Sequence, residues 1–247
     1  MKVLGIIPAR YASTRFPGKP LALIGGKPMI QRTCERALEA SLDAVVVATD
    51  DLRIYDAVRG MGFRVVMTRE DHRSGTDRCR EALDLMDDRF DTVVNIQGDE
   101  PFIDPRQIDQ LAETIRSGKV ALATLARRIT DPQDLENPNA VKVVFDLQGD
   151  ALYFSRHPIP FVRGAERTQW LEHAEYYRHI GLYAYTSDTL RHIAALPPGR
   201  LEQNESLEQL RWLENGLRIR VAVTELDSSY SIDTPEDLMS IPKELLL

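Results

Sequence analysis

Two rhythms of apolar residues divide the chain. In roughly its first half, short runs of consecutive aliphatic residues alternate with longer stretches whose apolar positions recur every three or four residues. Residues 3–7, 44–48, 65–67, 92–97 and 120–125 are runs of the first kind, and their lack of polar alternation predicts strands buried on both faces. Between them, periodicity and capping predict helices over 27–40, opened by Pro28, over 52–59, stopped by the Gly60-Met61-Gly62 pair, over 76–86, and over 105–116, opened by Pro105. Strand and helix alternating about every 20 to 25 residues is the signature of an α/β fold, a doubly wound, mostly parallel sheet with helices on both faces.

Near residue 129 the rhythm changes. Residues 140–145 and 151–154 flank Gln148-Gly149-Asp150 and read as a hairpin. A polar stretch with Trp170, Tyr176 and Tyr177 follows, then an apolar run over 179–185. The expected organisation is an α/β core made of 1–128 and 187–247, with 129–186 as a smaller β-rich layer set into it. Aromatic side chains exposed there suit a homodimer interface, and equally a local core. Helices return over 187–195 and 205–215, the second closed by Gly216, then a strand over 217–223 and a last helix capped by Thr234 and opened by Pro235.

Composition narrows the choice. A chain of 247 residues can bury one large core. Its 31 cations against 38 anions, a net charge of −7, argue against nucleic acid as a partner and make any basic cluster a local feature. Cys34 and Cys79 lie in helical stretches without C-x-x-C spacing, so reduced thiols and a cytoplasmic location are expected. No apolar run is long enough for a signal-peptide core or a membrane span, so no membrane partner is expected.

The first strand opens into Pro8-Ala9-Arg10-Tyr11-Ala12-Ser13-Thr14-Arg15-Phe16-Pro17-Gly18-Lys19-Pro20, a proline-stiffened loop with three cations. Ligands of open α/β sheets sit beyond the carboxyl ends of the strands, where Arg10, Arg15 and Lys19 would meet a polyanion. Solvated surface charge is the plainer alternative. Asp99 directly follows the fourth strand, and Asp233 precedes the last helix. Two carboxylates and a polyphosphate at one edge are what Mg²⁺ requires. Taken alone, however, Gly98-Asp99-Glu100-Pro101 is also a good turn and Asp233-Thr234-Pro235 a good cap. No G-x-G-x-x-G, nucleophilic triad or histidine cluster with metal-ligand spacing is present.

The loop wording, with Gln97-Gly98-Asp99-Glu100-Pro101, Asp71-His72-Arg73-Ser74-Gly75-Thr76-Asp77-Arg78, Arg178-His179-Ile180-Gly181-Leu182-Tyr183, Ser206-Leu207-Glu208-Gln209 and Ile232-Asp233-Thr234-Pro235-Glu236-Asp237-Leu238, resembles the 3-deoxy-manno-octulosonate (Kdo) cytidylyltransferases in order along nearly the whole chain. The resemblance implies a nucleotide-diphospho-sugar transferase-like fold and an enzyme that activates Kdo with CTP, releasing pyrophosphate, for lipopolysaccharide biosynthesis. It implies catalytic roles for Arg10, Lys19, Asp99 and Asp233, with the two aspartates holding Mg²⁺. For the nucleotide it implies Pro8, Ala9, Arg10, Ser13, Arg15, Lys19, Ser74, Gly75, Arg78 and Gln97. For the sugar acid it implies Gln97, Arg156, His179, Tyr183, Glu208 and Gln209. A cytidylyltransferase for 8-amino-Kdo or a sialic-type acid, or a non-catalytic nucleotide-binding protein of the same fold, are the alternatives.

Overall fold

A computed structural model describes residues 1–12, 16–226, 232–242 and 245. In chain order the elements are β1 (Val3–Ala9), β2 (Leu23–Ile24), β3 (Lys27–Pro28), α1 (Met29–Leu38), β4 (Ala44–Thr49), α2 (Leu52–Gly60), β5 (Val65–Met67), α3 (Gly75–Asp84), β6 (Thr92–Asn95) and α4 (Pro105–Arg116). There follow β7 (Leu122–Arg128), α5 (Pro132–Glu136), β8 (Lys142–Phe145), β9 (Ala151–Ser155), α6 (Trp170–His173) and β10 (Tyr177–Thr186). The chain continues through α7 (Ser187–Ala194), α8 (Arg200–Glu205), α9 (Gln209–Glu214), β11 (Arg220–Val223) and α10 (Pro235–Met239).

The main sheet runs β11-β7-β10-β6-β1-β4-β5. Strands β6, β1, β4 and β5 are mutually parallel, as is β11 with β7, which gives the mostly parallel, doubly wound arrangement expected. Strand β1 shows why. Its Leu4 and Ile6 pack with Cys79, Leu83, Leu190 and Trp212 from α3, α7 and α9. Its Val3 and Ile7 pack with Ile30, Cys34, Ile54, Ile108 and Leu111 from α1, α2 and α4 on the other face. Both faces need apolar side chains, so the strand carries no alternation, and each fully buried aliphatic side chain contributes about 1.5–3 kcal/mol. Cys34 and Cys79 are free and buried, and burial pushes the Cys34 thiol up to about 12. Among the described residues no helix is long and apolar enough to cross a membrane.

The segment 129–186 is set into the main sheet through one long strand. Its longest strand, β10, enters the main sheet antiparallel between β6 and β7, with Tyr183 opposite Asn95 and His179 opposite Ala126. Only β8 and β9 leave the main path, branching from the first residues of β10. The apolar 179–185 run continues the buried sheet, and a local alternation pattern carries no information on which neighbours it joins. Trp170 and Tyr176 turn inward onto Ile129 and Leu135 as a satellite cluster, because that stretch must bury its own aromatics. Phe161 remains exposed. The helix expected over 205–215 starts later, as α9 at Gln209, and an unexpected helix, α8, precedes it, with Ser206 between them in the left-handed region at φ 52°. Gly216 closes α9 at φ 77° as expected.

Candidate functional site

The carboxyl ends of β1 and β6 and the start of α3 enclose a cleft of about 340 Å³. Pro8, Ala9, Arg10, Lys19, Ser74, Gly75, Arg78, Gln97, Asp99 and Asp233 all line it, together with Pro20, His72, Arg73 and Gly98. Ser13 and Arg15 lie outside the described residues.

The described ends of the loop leaving β1 are held to each other. Gly18 takes φ 72°, where an added Cβ would sit 3.1 Å from the Tyr11 ring, and its N–H donates to Tyr11 O at 3.0 Å. Over the same ring lies the Arg53 guanidinium of α2, 3.3 Å from the centroid and paired with Asp51. One 3-10 turn at Lys19–Leu21 then presents the Lys19 side chain.

Lys19 Nζ donates to Asp99 Oδ2 at 2.8 Å, to Asp233 Oδ1 at 3.2 Å and to the carbonyl of Ile232 at 2.9 Å. Three segments remote in sequence thus meet at one ammonium. Gly98 lets the Asp99 turn lie against β1, since a Cβ there would approach Pro8 O to 2.9 Å. The segment carrying Asp233 is held by Ile232, fully buried against Ile24 and Met29, and by the α10 capping box of Thr234 and Asp237. The two carboxylates remain 28% and 42% exposed. Ion pairs so exposed contribute about 0–1 kcal/mol, so stability does not account for gathering them. Arg10, exposed at the cleft wall, has no ion-pair partner among the described residues.

Among the described residues no group of three or more His, Cys, Asp or Glu side chains could hold a metal ion. Two carboxylates beside an open cleft do not make a zinc cage. They do fit Mg²⁺, which keeps waters and takes its remaining ligands from substrate phosphates.

The other wall is the N-terminus of α3. Ser74 caps it, accepting from Asp77 N at 3.1 Å in a capping box. A Cβ at Gly75 would make only ordinary 3.5 Å contact with Pro8, so packing does not demand the glycine. Arg78 lines the cleft, yet its guanidinium is bound to Asp50 Oδ2 at 2.7 Å and Thr68 Oγ1 at 2.5 Å. His72, absent from the candidates, faces the cleft with Nε2 bonded to Glu81. Its adjacency to Ser74-Gly75 was the available signal; metal-ligand spacing was the wrong test for it.

Of the residues expected at the sugar acid, only Gln97 lines this cleft. His179 packs edge-on to Phe154 at 5.0 Å and has Thr124 Oγ1 2.9 Å from Nε2. Burial drops its pKa to about 3, so it is neutral. Tyr183, stacked with Tyr185 and edge-on to Trp212, is buried, which raises its pKa well above the ordinary value. Gln209 is buried at the start of α9. Glu208 accepts from Thr76 Oγ1 at 2.9 Å, and burial raises its carboxyl pKa. The Arg156 guanidinium, expected as a carboxylate clamp, is taken up by the carbonyls of Glu205 at 2.7 Å, Pro138 at 3.1 Å and Ser206 at 3.2 Å, tying β9 to the end of α8.

An anion-ready loop, a pair of carboxylates and a capped helix start at the carboxyl edge of an α/β sheet define a nucleotidyl-transfer architecture. The comparisons agree: a cytidylyltransferase family model matches residues 4–219. Within that class the chain belongs to the 3-deoxy-manno-octulosonate cytidylyltransferase family. Proteins of that name from Parabacteroides distasonis and Bacteroides thetaiotaomicron are each 53% identical to it, over 242 and 241 residues, with 96% of both chains covered in each case. A solved structure of CMP:2-keto-3-deoxy-manno-octonic acid synthetase complexed with CTP superposes with a TM-score of 0.88 at 43% identity, covering 97% of this chain and 96% of that one.

Proposed function

We propose that the chain is a CTP-dependent nucleotidyltransferase that activates Kdo, giving CMP-Kdo and pyrophosphate for lipopolysaccharide biosynthesis. The observation that carries the reading is the meeting of Lys19, Asp99 and Asp233 beside the Arg10 loop. The anomeric hydroxyl of the sugar acid attacks the α-phosphorus in line; its oxygen–phosphorus bond forms as the bond from that phosphorus to the bridging oxygen breaks, pyrophosphate departs with that oxygen, and the hydroxyl proton passes to solvent. Such transfer depends on positioning and charge neutralisation more than on covalent catalysis. Arg10 and Lys19 face the triphosphate and the departing pyrophosphate. The open first turn of α3, with no side chain at Gly75, admits the cytidine, and Gln97 stands between the two substrates. Mg²⁺, when bound by Asp99 and Asp233, supplies phosphate charge neutralisation and a more acidic attacking hydroxyl.

His179 and Tyr183, uncharged and largely removed from water, with Glu208 and Gln209 as acceptor and amide, form the reading's sugar-acid side. Arg156, with its donors engaged, serves that side chiefly by holding the α8 end in place. A cytoplasmic homodimer belongs to the same proposal; exposed Leu152 and Phe161 in the 129–186 segment support the dimer, and a monomer by sedimentation would remove it.

Pyrophosphate release measured with each of the four NTPs, with and without Kdo and Mg²⁺, tests the function. Turnover is expected only with CTP, Kdo and the metal together. CTP binding with no release on adding Kdo would overturn the reading, and preference for another sugar acid in a parallel panel would replace the substrate.

A further inference from the structure

Beneath the cleft lies a polar layer for which the transfer chemistry has no use. Thr76, in the first turn of α3, is 2% exposed, yet its Oγ1 reaches the start of α9 and donates to Glu208 Oε2 at 2.9 Å. The other carboxylate oxygen of Glu208, Oε1, is buried without a hydrogen-bond partner, with the Arg211 guanidinium 4.0 Å away. A buried acceptor left open is costly, and such groups are normally satisfied by protein, water or ligand. In the same layer Asn95, 2% exposed, donates to Tyr185 Oη and accepts from the cleft-lining Gln97, each at 3.4 Å. Buried polar groups therefore run under both substrate sides.

We propose that Thr76 is a positioning residue that couples the two substrate sides: from the nucleotide end of α3 it pins one oxygen of Glu208, so that the other is presented to a hydroxyl of the sugar acid. The inference rests on Glu208 being a sugar-acid ligand. The anchor is a stiff one. Thr76 sits inside the Ser74–Asp77 capping box, and its β-branched side chain has few rotamers to lose. Glu208 has three flexible torsions that only a second contact can fix. Burial pushes the Glu208 carboxyl up, and Ser74, Thr76 and the Arg211 charge oppose that push, favouring the charged acceptor.

Pyrophosphate-release kinetics in Thr76→Val, Thr76→Ser and Glu208→Gln variants, with KM read separately for Kdo and CTP, test this. Thr76→Val is expected to raise KM for Kdo about tenfold, the scale of one charge-assisted hydrogen bond, and to leave KM for CTP within about twofold. Thr76→Ser, which keeps the hydroxyl, is expected to restore KM for Kdo. If Glu208→Gln leaves KM for Kdo unchanged, Glu208 is no ligand and the inference falls with that role. If Glu208→Gln raises it but Thr76→Val does not, the coupling alone is wrong. Equal rises in both KM values, or failure of Thr76→Ser to rescue, would reduce Thr76 to a structural part of α3 and overturn the inference. Should Thr76→Val not fold, Thr76→Ala is read against Thr76→Ser in the same way.

Discussion

The two ends of the proposed site are built on opposite principles. The phosphate end is open and ionic, assembled from loops, its carboxylates balanced against Lys19. The acid end is aromatic and largely neutral, built on β10 and α9, with His179 kept uncharged and Tyr183 kept protonated by burial. Charges in the first can rearrange at small cost when a polyanion and a metal arrive. In the second, polar groups are held by specific hydrogen bonds in a packed setting, one from Thr76 to Glu208 and three from Arg156, and each missing partner is felt. Reactivity should therefore concentrate at one end and stability and discrimination at the other.

The strongest way to break this contrast is Asp99→Asn. Turnover is expected to fall about 10³-fold or more, with the melting temperature within about 3 °C of the parent, because a partly exposed ion pair holds little folding energy. Near-parental turnover would remove Asp99 from the chemistry. A smaller effect belongs to the acid end. With its folded pKa near 3 against 6.5 for the free side chain, His179 binds its proton more readily in the unfolded chain. Its contribution is thus complete above pH 6.5 and is lost as pH falls through the window down to about 3. Between pH 6.5 and 5 the loss should be about 1–2 kcal/mol, seen as a drop in urea midpoint that His179→Gln reduces. An identical pH response in the two proteins would show that the imidazole is not held neutral. The smallest effect is Arg156→Lys: an ammonium cannot span the three carbonyls now satisfied, and about 1 kcal/mol of stability should go with KM for CTP unchanged. If KM for Kdo rises steeply while stability holds, Arg156 is a ligand first and a strut second.

How far the sequence could be read follows the same division. Parallel strands buried on both faces announce themselves through unbroken aliphatic runs, so β1, β4 and β6 were visible, as was α4 with its proline start; β5 was visible too, but as an edge strand it is only half-buried, not covered on both faces as its run suggested. Asp99 and Lys19 were legible because each directly follows or flanks such an element. That they converge with Asp233 on one ammonium required the fold, since Ile232 packing on Ile24 and Met29 is a contact between chain ends that no local pattern encodes. At the acid end, the break at Ser206 escaped notice because a left-handed turn at a serine, rather than a glycine, has no compositional mark. The engagement of Arg156 with that turn was hidden for the same reason. Thr76 looked like helix-start chemistry, and its reach to Glu208 depends on how α3 and α9 sit on one sheet face.

Strand β10 runs against its neighbours, so the residues it places first arrive at the edge where β6 and β7 finish. Its opening turn of sequence can vary without disturbing the strands that carry Arg10 and Asp99. On the proposed reading, acceptor choice and donor handling are in this way written on separate threads of the same fabric, so that one can be retuned while the other stays untouched.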